Sequence, residues 1–390
     1  MLQQAPVIVS SQSPFAAEVF AKRHPTLIDR LTGAWPYTPQ QHQALAELAE
    51  DNVHGVIQPL PDGAVGADQW QAWGASYYGL PWAEAPFLWA ESFFYRRLLE
   101  AVGYYAPGPW HAVDLFAPFK QAELAGEVVA AEIAAFDDLA DLEERERGQA
   151  LLLGSLWGNR ADLALQITAG RGGQASGLVA DDSPALWDLL YSRPGGTVAL
   201  IADNAGSEMV ADLALVDHLL TASLAGEVVL HVKPAPYYVS DATLTDVADC
   251  LRALLATKGE GRAVGERLRA AAEAGRLRVQ TDDFWCSPFD FTNMPVTLRS
   301  ELAAAAVVMF KGDLNYRRLV GDRWWEPTAS FAEVTGYFPG RVAALRALKS
   351  DVVVGLDSST VATLDAEGGV WRTSGERGLV QVRSSSVAKQ

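Results

Sequence analysis

Cysteine is nearly absent from this sequence: Cys250 and Cys286 are the only two in 390 residues. Two thiols build neither a disulfide framework nor a thiolate zinc site, so a reducing, cytoplasmic setting is expected. Long apolar runs are lacking too. Leu302 to Phe310 is among the longest, well short of the roughly 18 residues that a membrane helix needs. The opening MLQQAPVIVSSQSPF has neither a basic n-region nor an apolar h-region, so no secretory signal is read. Positive charge is scarce: 31 Lys+Arg face 48 Asp+Glu, a net charge of −17. That balance argues against nucleic acid and anionic membrane as partners, since both require a clustered basic face. There is no phosphate-cradling Gly-Lys-Ser/Thr, no nucleophile elbow and no paired-His zinc motif. The six His, at 24, 42, 54, 111, 218 and 231, form no ligand cluster. An acidic protein that handles an anion must therefore create positive potential locally, with a metal ion, a helix N-terminus or a few Lys and Arg.

What is present begins with apolar material, 49% of the chain. Residues 1–150 read mainly as a helical lobe. QQHQALAELAE (40–50) and EAPFLWAESFFYRRLLEAV (84–102) space apolar groups by three and four. Trp70, Trp73, Tyr77, Tyr78, Trp82, Trp89 and Tyr95 crowd this half, and packing of the lobe against its neighbour is the expected role of these rings. Asp137, Asp138, Asp141, Glu143 and Glu144 read as a solvated acidic face. Residues 151–390 form the second expected unit. There TVALIAD (197–203), EVVLHVK (227–233), RLRVQTD (276–282), AAVVMFKGD (305–313) and DVVVGL (351–356) alternate with helices over 207–223, 243–257, 264–274 and 340–348. Apolar strands separated by helices predict an α/β fold, a mostly parallel sheet in an α/β/α sandwich of Rossmann-like type. The segment VATLDAEGGVWRTSGERGLVQV predicts a terminal antiparallel addition.

Ligands of an open α/β sheet bind beyond the carboxyl ends of its strands. The first such end reads Ala202-Asp203-Asn204-Ala205-Gly206-Ser207-Glu208 and leads into an amphipathic helix. A carboxylate and an amide oxygen are hard donors suited to a divalent cation, and the helix start offers N–H groups to an anion. An Asx turn with a helix cap accounts for the same residues. The second strand is followed by Ser240-Asp241-Ala242-Thr243. Thr243 and Asp246 resemble a capping box, yet Asp241, beyond a neighbouring strand, could share a cation with Asp203 and Asn204. The fourth strand ends in Lys311-Gly312-Asp313-Leu314-Asn315-Tyr316-Arg317-Arg318, where arginine suits contact with phosphate or carboxylate. Arg346-Ala347-Leu348-Lys349 reads as the basic last turn of a helix. Gly170 to Ala175 fits a dinucleotide fingerprint only loosely and reads as a loop.

Taken together, these segments resemble the metal-dependent damage-control phosphatases, a family also described as acidic-residue (protein-glutamate) carboxyl methyltransferases. The resemblance rests on DNAGSEMVADLALVDHLL (203–220), Ser240-Asp241, FWCSPFDF (284–291) and FKGDLNYRRLVGDRWW (310–325), with WAESFFYRRLLEA (89–101) and LWGNRADLAL (156–165) upstream. It implies a divalent metal (Mn²⁺, Co²⁺ or Ni²⁺, with Mg²⁺ possible) held by Asp203, Asn204 and Asp241. It also implies that Glu208, Asp313, Asn315, Arg317 and Lys349, with Asp203 and Asn204, face a small phosphorylated metabolite. Sugar phosphates such as fructose 1-phosphate are the implied class, hydrolysed by metal-activated water with Asp203 and Asp313 as catalytic residues and Asp313 as the general base. Asn159, Arg160 and Asp162 are candidates to support the site. The alternative is S-adenosylmethionine-dependent methyl transfer to carboxylates, and an inactive metal-binding scaffold is a third reading. One departure stands out: where such chains usually carry Arg-Thr-x-Lys, this one has Ala347, so a hydroxyl is missing. The sequence says nothing of oligomeric state.

Overall fold

Seven strands form one sheet in a computed structural model that describes residues 5–158, 177–368 and 370–384. They are β1 (Leu178–Asp181), β2 (Gly196–Ile201), β3 (Ala225–Val232), β4 (Leu277–Thr281), β5 (Val307–Lys311), β6 (Val342–Ala347) and β7 (Gly378–Arg383). Their order is β1-β7-β6-β5-β2-β3-β4. Only β6 and β7 run antiparallel; the other neighbours are parallel. Successive residues of a strand face opposite sides of a sheet, and here each side meets its own helical layer. Ala199, Ile201, Val308, Phe310, Val342 and Ala344 pack with Leu27, Ile28, Phe94 and Leu98 of the N-terminal helices. Val198, Leu200, Val307, Met309, Ala343 and Leu345 pack with Phe136, Leu152, Val210, Leu213 and Leu268 on the other side. The sandwich expected from apolar strands is therefore present. The aromatic residues do pack the helical half: Trp89 stacks on Phe93 at 5.0 Å, and Trp73 meets Phe289 edge-on at 5.2 Å.

Two expectations need correction. The sequence predicts a helix over 340–348 and a strand over 351–356, but β6 is Val342–Ala347. The Ala- and Leu-rich run suits a helix; the slot between β5 and β7, buried on both faces, decides otherwise. Val352, Val353 and Val354 are buried in extended chain whose polar groups find partners outside a ladder. The Val354 N–H donates to the Tyr316 hydroxyl, and the Val354 carbonyl accepts from Gln381. The C-terminal stretch is likewise only partly strand. Ser358–Glu367 is a helix, and β7 alone supplies the antiparallel addition. Gly170 to Ala175, Asn159, Arg160 and Asp162 lie outside the described residues.

Register sets the positions of the chemistry. Ile201 pairs with His231 and Phe310, and Phe310 with Ala344. Two residues further along each chain stand Asp203, Lys233, Gly312 and Arg346, at one level on the carboxyl side of the sheet. The chain winds outward from β2 to β3 and β4 on one side and to β5 and β6 on the other. That reversal is the switch point where such sheets leave a crevice.

Candidate active site

Asp203 and Asn204 follow β2 directly, and a short bridge ties them to the turn after β3. Asn204 pairs with Asp241, the Ala242 N–H donates to the Asp203 carbonyl at 2.9 Å, and the Ala205 N–H donates to the Ser240 carbonyl at 2.7 Å. The structure thus brings Asp203, Asn204 and Asp241 together. Asp203 and Asp241 are buried. Asn204 Nδ2 donates to Asp203 Oδ2 at 3.0 Å and to Glu208 Oε2 at 2.9 Å, which leaves the amide oxygen free of both. Lys233 Nζ lies 3.8 Å from Asp241 Oδ2 and is itself buried. Burial first, then the Glu208 and Asp241 carboxylates, push the Asp203 carboxyl well above the usual range, against the pull of Lys233 and Lys349. Gly312, at φ +81°, gives this carboxylate its room. A Cβ there would stand 1.8 Å from Asp203 Oδ2, so neither the conformation nor the space admits a side chain.

Several buried groups hold the turn in place. Lys120 donates to the Asp241 carbonyl at 2.8 Å and pairs with Asp114 and Asp246 at 2.8 and 3.0 Å. Thr243 and Asp246 form the expected capping box. The helix N-terminus at Ser207 is not open to an outside anion, contrary to the expectation. Glu123 Oε1 accepts from the Ser207 N–H at 3.2 Å and from its hydroxyl at 2.8 Å. This carboxylate takes the stabilised position at the helix start.

The basic residues after β5 also differ from the expectation that they face substrate. Arg317 is buried: Nε donates to Asp322 at 2.8 Å, Nη1 to Glu91 at 2.9 Å, and Phe87 lies 4.4 Å below it. Its guanidinium ties the Gly312–Val320 helix to Phe87–Ala101 and is not a clamp for a ligand. Arg318 is taken up by the carbonyls of Phe284, Trp285 and Phe289. Lys311 pairs with Glu208 at 3.2 Å and Asp212 at 3.0 Å, so it holds Glu208 from beneath. Asn315 is buried, with Nδ2 donating to the carbonyls of Ala202 at 3.0 Å and Lys311 at 2.8 Å. It fixes the start of the Asp203 turn.

Asp313 sits in a similar frame. Its Oδ1 accepts from Arg346 Nε at 2.8 Å, the Lys349 N–H at 3.1 Å and Ser350 Oγ at 3.0 Å. Burial opposes its ionisation, but Arg346 and then Arg317 outweigh it and hold the carboxyl below the usual carboxylate range. A carboxylate held so firmly in the charged form is a poor general base near neutral pH, which corrects that assignment. Its evident work is to pin the chain after β6, and that chain carries the exposed Lys349 toward Asp203. Ala347 ends β6 opposite Gly378.

Lys233, Glu123, Lys120 and Arg346 were not among the predicted site residues. Lys233 had a signal: it ends an apolar strand at the level where Asp203 follows its neighbour. Glu123 and Lys120 had none, because nothing in an amphipathic acidic helix marks which carboxylate turns inward.

Beneath the site, Glu132 is buried in the Glu127–Ala140 helix. Burial, followed by Asp212, Glu123 and Glu208, pushes its carboxyl up to about 9. From its ordinary 4.5 up to about 9 the folded chain therefore binds a proton that the unfolded chain has released. Stability falls as pH rises through that window and levels off above it. Glu132→Gln removes this penalty, so its stability advantage over the native chain should grow from pH 5 to pH 8 in urea unfolding. A pH-independent difference would contradict this.

Among the described residues no three His, Cys, Asp or Glu side chains converge with metal-ligating geometry. The backbone bridge instead brings together two carboxylates and one amide, with Asn204 turning its Nδ2 toward Asp203 and Glu208, so that a half-turn of the amide would offer a third hard oxygen. That composition suits a Mg²⁺- or Mn²⁺-like ion whose remaining positions stay with water or substrate. Among the described residues no helix is long and apolar enough to cross a membrane.

Comparison with known proteins agrees with this architecture. The family model of the damage-control phosphatase ARMT1-like domain matches residues 11–364. Damage-control phosphatase ARMT1 of Danio rerio is 31% identical over 338 residues, 78% of this chain and 74% of the relative. That of Rattus norvegicus is 31% identical over 367 residues, 83% and 82%. That of Homo sapiens is 30% identical over 339 residues, 77% and 75%. The crystal structure of a DUF89 family protein from Pyrococcus horikoshii superposes with a TM-score of 0.50 at 14% identity, over 90% of this chain and 94% of that one. That likeness concerns the fold.

Proposed function

This chain belongs to the damage-control phosphatase ARMT1-like family, and from that premise we propose that it is a metal-dependent phosphatase of small phosphorylated metabolites, sugar phosphates such as fructose 1-phosphate among them. The observation that carries the reading is the meeting of Asp203, Asn204 and Asp241 at the switch point of the sheet. These three would hold the ion. When bound, a dication supplies Lewis acidity toward water and neutralises charge that develops on the phosphoryl group.

The chain's own residues set the stage. Lys233, 3.8 Å from Asp241, and the exposed Lys349 both act electrostatically on Asp203, and their charge would serve the phosphoryl oxygens of a substrate. Asp313 fixes the chain that carries Lys349 through the Lys349 N–H. Asn204 and Lys311 hold Glu208 at the mouth, one to each oxygen. The overall change is hydrolysis of a phosphate ester to an alcohol and phosphate, with water consumed.

Protein stripped with chelator and reloaded with Mn²⁺, Co²⁺, Ni²⁺ or Mg²⁺ tests the proposal against a panel of phosphate esters, with and without S-adenosylmethionine. Phosphate release that returns with metal is the expected result. Methyl incorporation without phosphate release, or release indifferent to chelation, would overturn it.

A further inference from the structure

A cavity of about 390 Å³ opens between the N-terminal helices and the turn that carries Asp241. Lys22, Arg23 and Arg30 line its outer side; Glu91, Tyr95 and Val239 form its inner wall. In a protein with a net charge of −17, three cations on one concave surface require a reason. Lys22 has a loose exposed pairing with Glu18 at 3.5 Å. No ion pair is seen for Arg23 or Arg30 among the described residues. Instead each guanidinium rests on a ring, Arg23 4.9 Å from Phe15 and Arg30 4.5 Å from Phe119. Such stacking restrains the side chain while leaving its N–H fork available.

The one acid in the wall is already engaged. Glu91 Oε2 accepts from Arg317 at 2.9 Å and from the Tyr238 hydroxyl at 3.1 Å. An entering anion therefore meets a paired carboxylate and unpaired arginines. The cavity also adjoins the catalytic turn, since Val239 lies two residues before Asp241. Tyr95 packs on Tyr238 with ring centroids 4.5 Å apart. After burial and Glu91, Asp241 raises the Tyr95 hydroxyl while Arg23 lowers it, so both reach one phenol. Phe119, which carries Arg30, is the neighbour of Lys120, which holds the Asp241 carbonyl.

We propose that this cavity is a second anion subsite, in which Arg23 and Arg30 bind a phosphate or carboxylate distinct from the phosphoryl group being hydrolysed. The preferred substrates then carry two anionic groups on a short carbon chain. The inference rests on the phosphatase reading for its meaning, but its binding can be measured apart from turnover.

The double variant Arg23→Ala/Arg30→Ala in the full chain tests it, because both side chains are exposed and their loss leaves the core intact. With two charge-assisted contacts removed, KM for fructose 1,6-bisphosphate should rise about tenfold, with KM and kcat for fructose 1-phosphate held within about twofold. Calorimetry of fructose 1,6-bisphosphate with chelator-treated protein should show the same weakening, and Arg23→Lys/Arg30→Lys should recover most of it. Equal effects on both esters, no effect on either, or no binding by the native chain would overturn the subsite. If the native chain releases phosphate from no ester, the phosphatase reading fails and the calorimetry alone decides the subsite.

Discussion

Asp203→Ala should reduce phosphate release by at least about a thousandfold while leaving the fold intact, because it removes a ligand and a charge where the reacting group binds. The effect on stability should have the opposite sign. Asp203 is buried beside Glu208 and Asp241, and these carboxylates, after burial itself, oppose its ionisation. Alanine relieves that repulsion, so metal-free Asp203→Ala should melt no lower than the native chain, with a gain in unfolding free energy of about 1 kcal/mol. Activity assays and thermal unfolding in chelator check the two halves. Loss of activity with a matching loss of stability would mean that Asp203 is a structural residue.

Arg346 carries the largest expected cost in stability. It is fully buried, reaches Asp313 Oδ1 from Nε at 2.8 Å and from Nη2 at 2.7 Å, and donates to Ser350 Oγ at 2.9 Å and the Val352 carbonyl. Tyr316 lies 4.4 Å from its guanidinium. Arg346→Met leaves Asp313 without its main counter-charge and the Ser350 and Val352 carbonyls without this donor, which should cost about 3–5 kcal/mol in urea unfolding. Arg346→Lys should recover little, since an ammonium cannot serve a carboxylate and two carbonyls in one plane. Adding Asp313→Asn to Arg346→Met should recover part of the loss by removing the stranded charge. Purely additive losses would contradict this account of the pair.

The sequence made the site more legible than the elements that hold it. Asp203 and Asp241 follow apolar strands bounded by turn residues, and strand ends of a parallel sheet are where chemistry is expected. Chain order and register do the rest. Arg346 was harder to place, because VAALRA has the local preference of a helix and only its position between β5 and β7 makes it a strand. Once it is a strand, Arg346 and Lys349 move from an unremarkable last turn to the same carboxyl edge as Asp203. Arg317 failed in the other direction. An arginine in a polar segment looks available, but Glu91 and Asp322 claim it, and Glu91 lies 226 residues away in sequence. Glu123 at the start of the Ser207–Thr221 helix is a pairing of the same long-range kind. Local patterns show which groups exist at a site; packing decides which of them remain free.

The account depends on two carboxylates and an amide acting as one binding set. Titrating Mn²⁺ into chelator-treated protein by calorimetry tests it most directly. The native chain should bind at a single site per molecule, and Asp203→Ala and Asp241→Ala should each abolish that binding without unfolding. Undiminished Mn²⁺ affinity in either variant would contradict it.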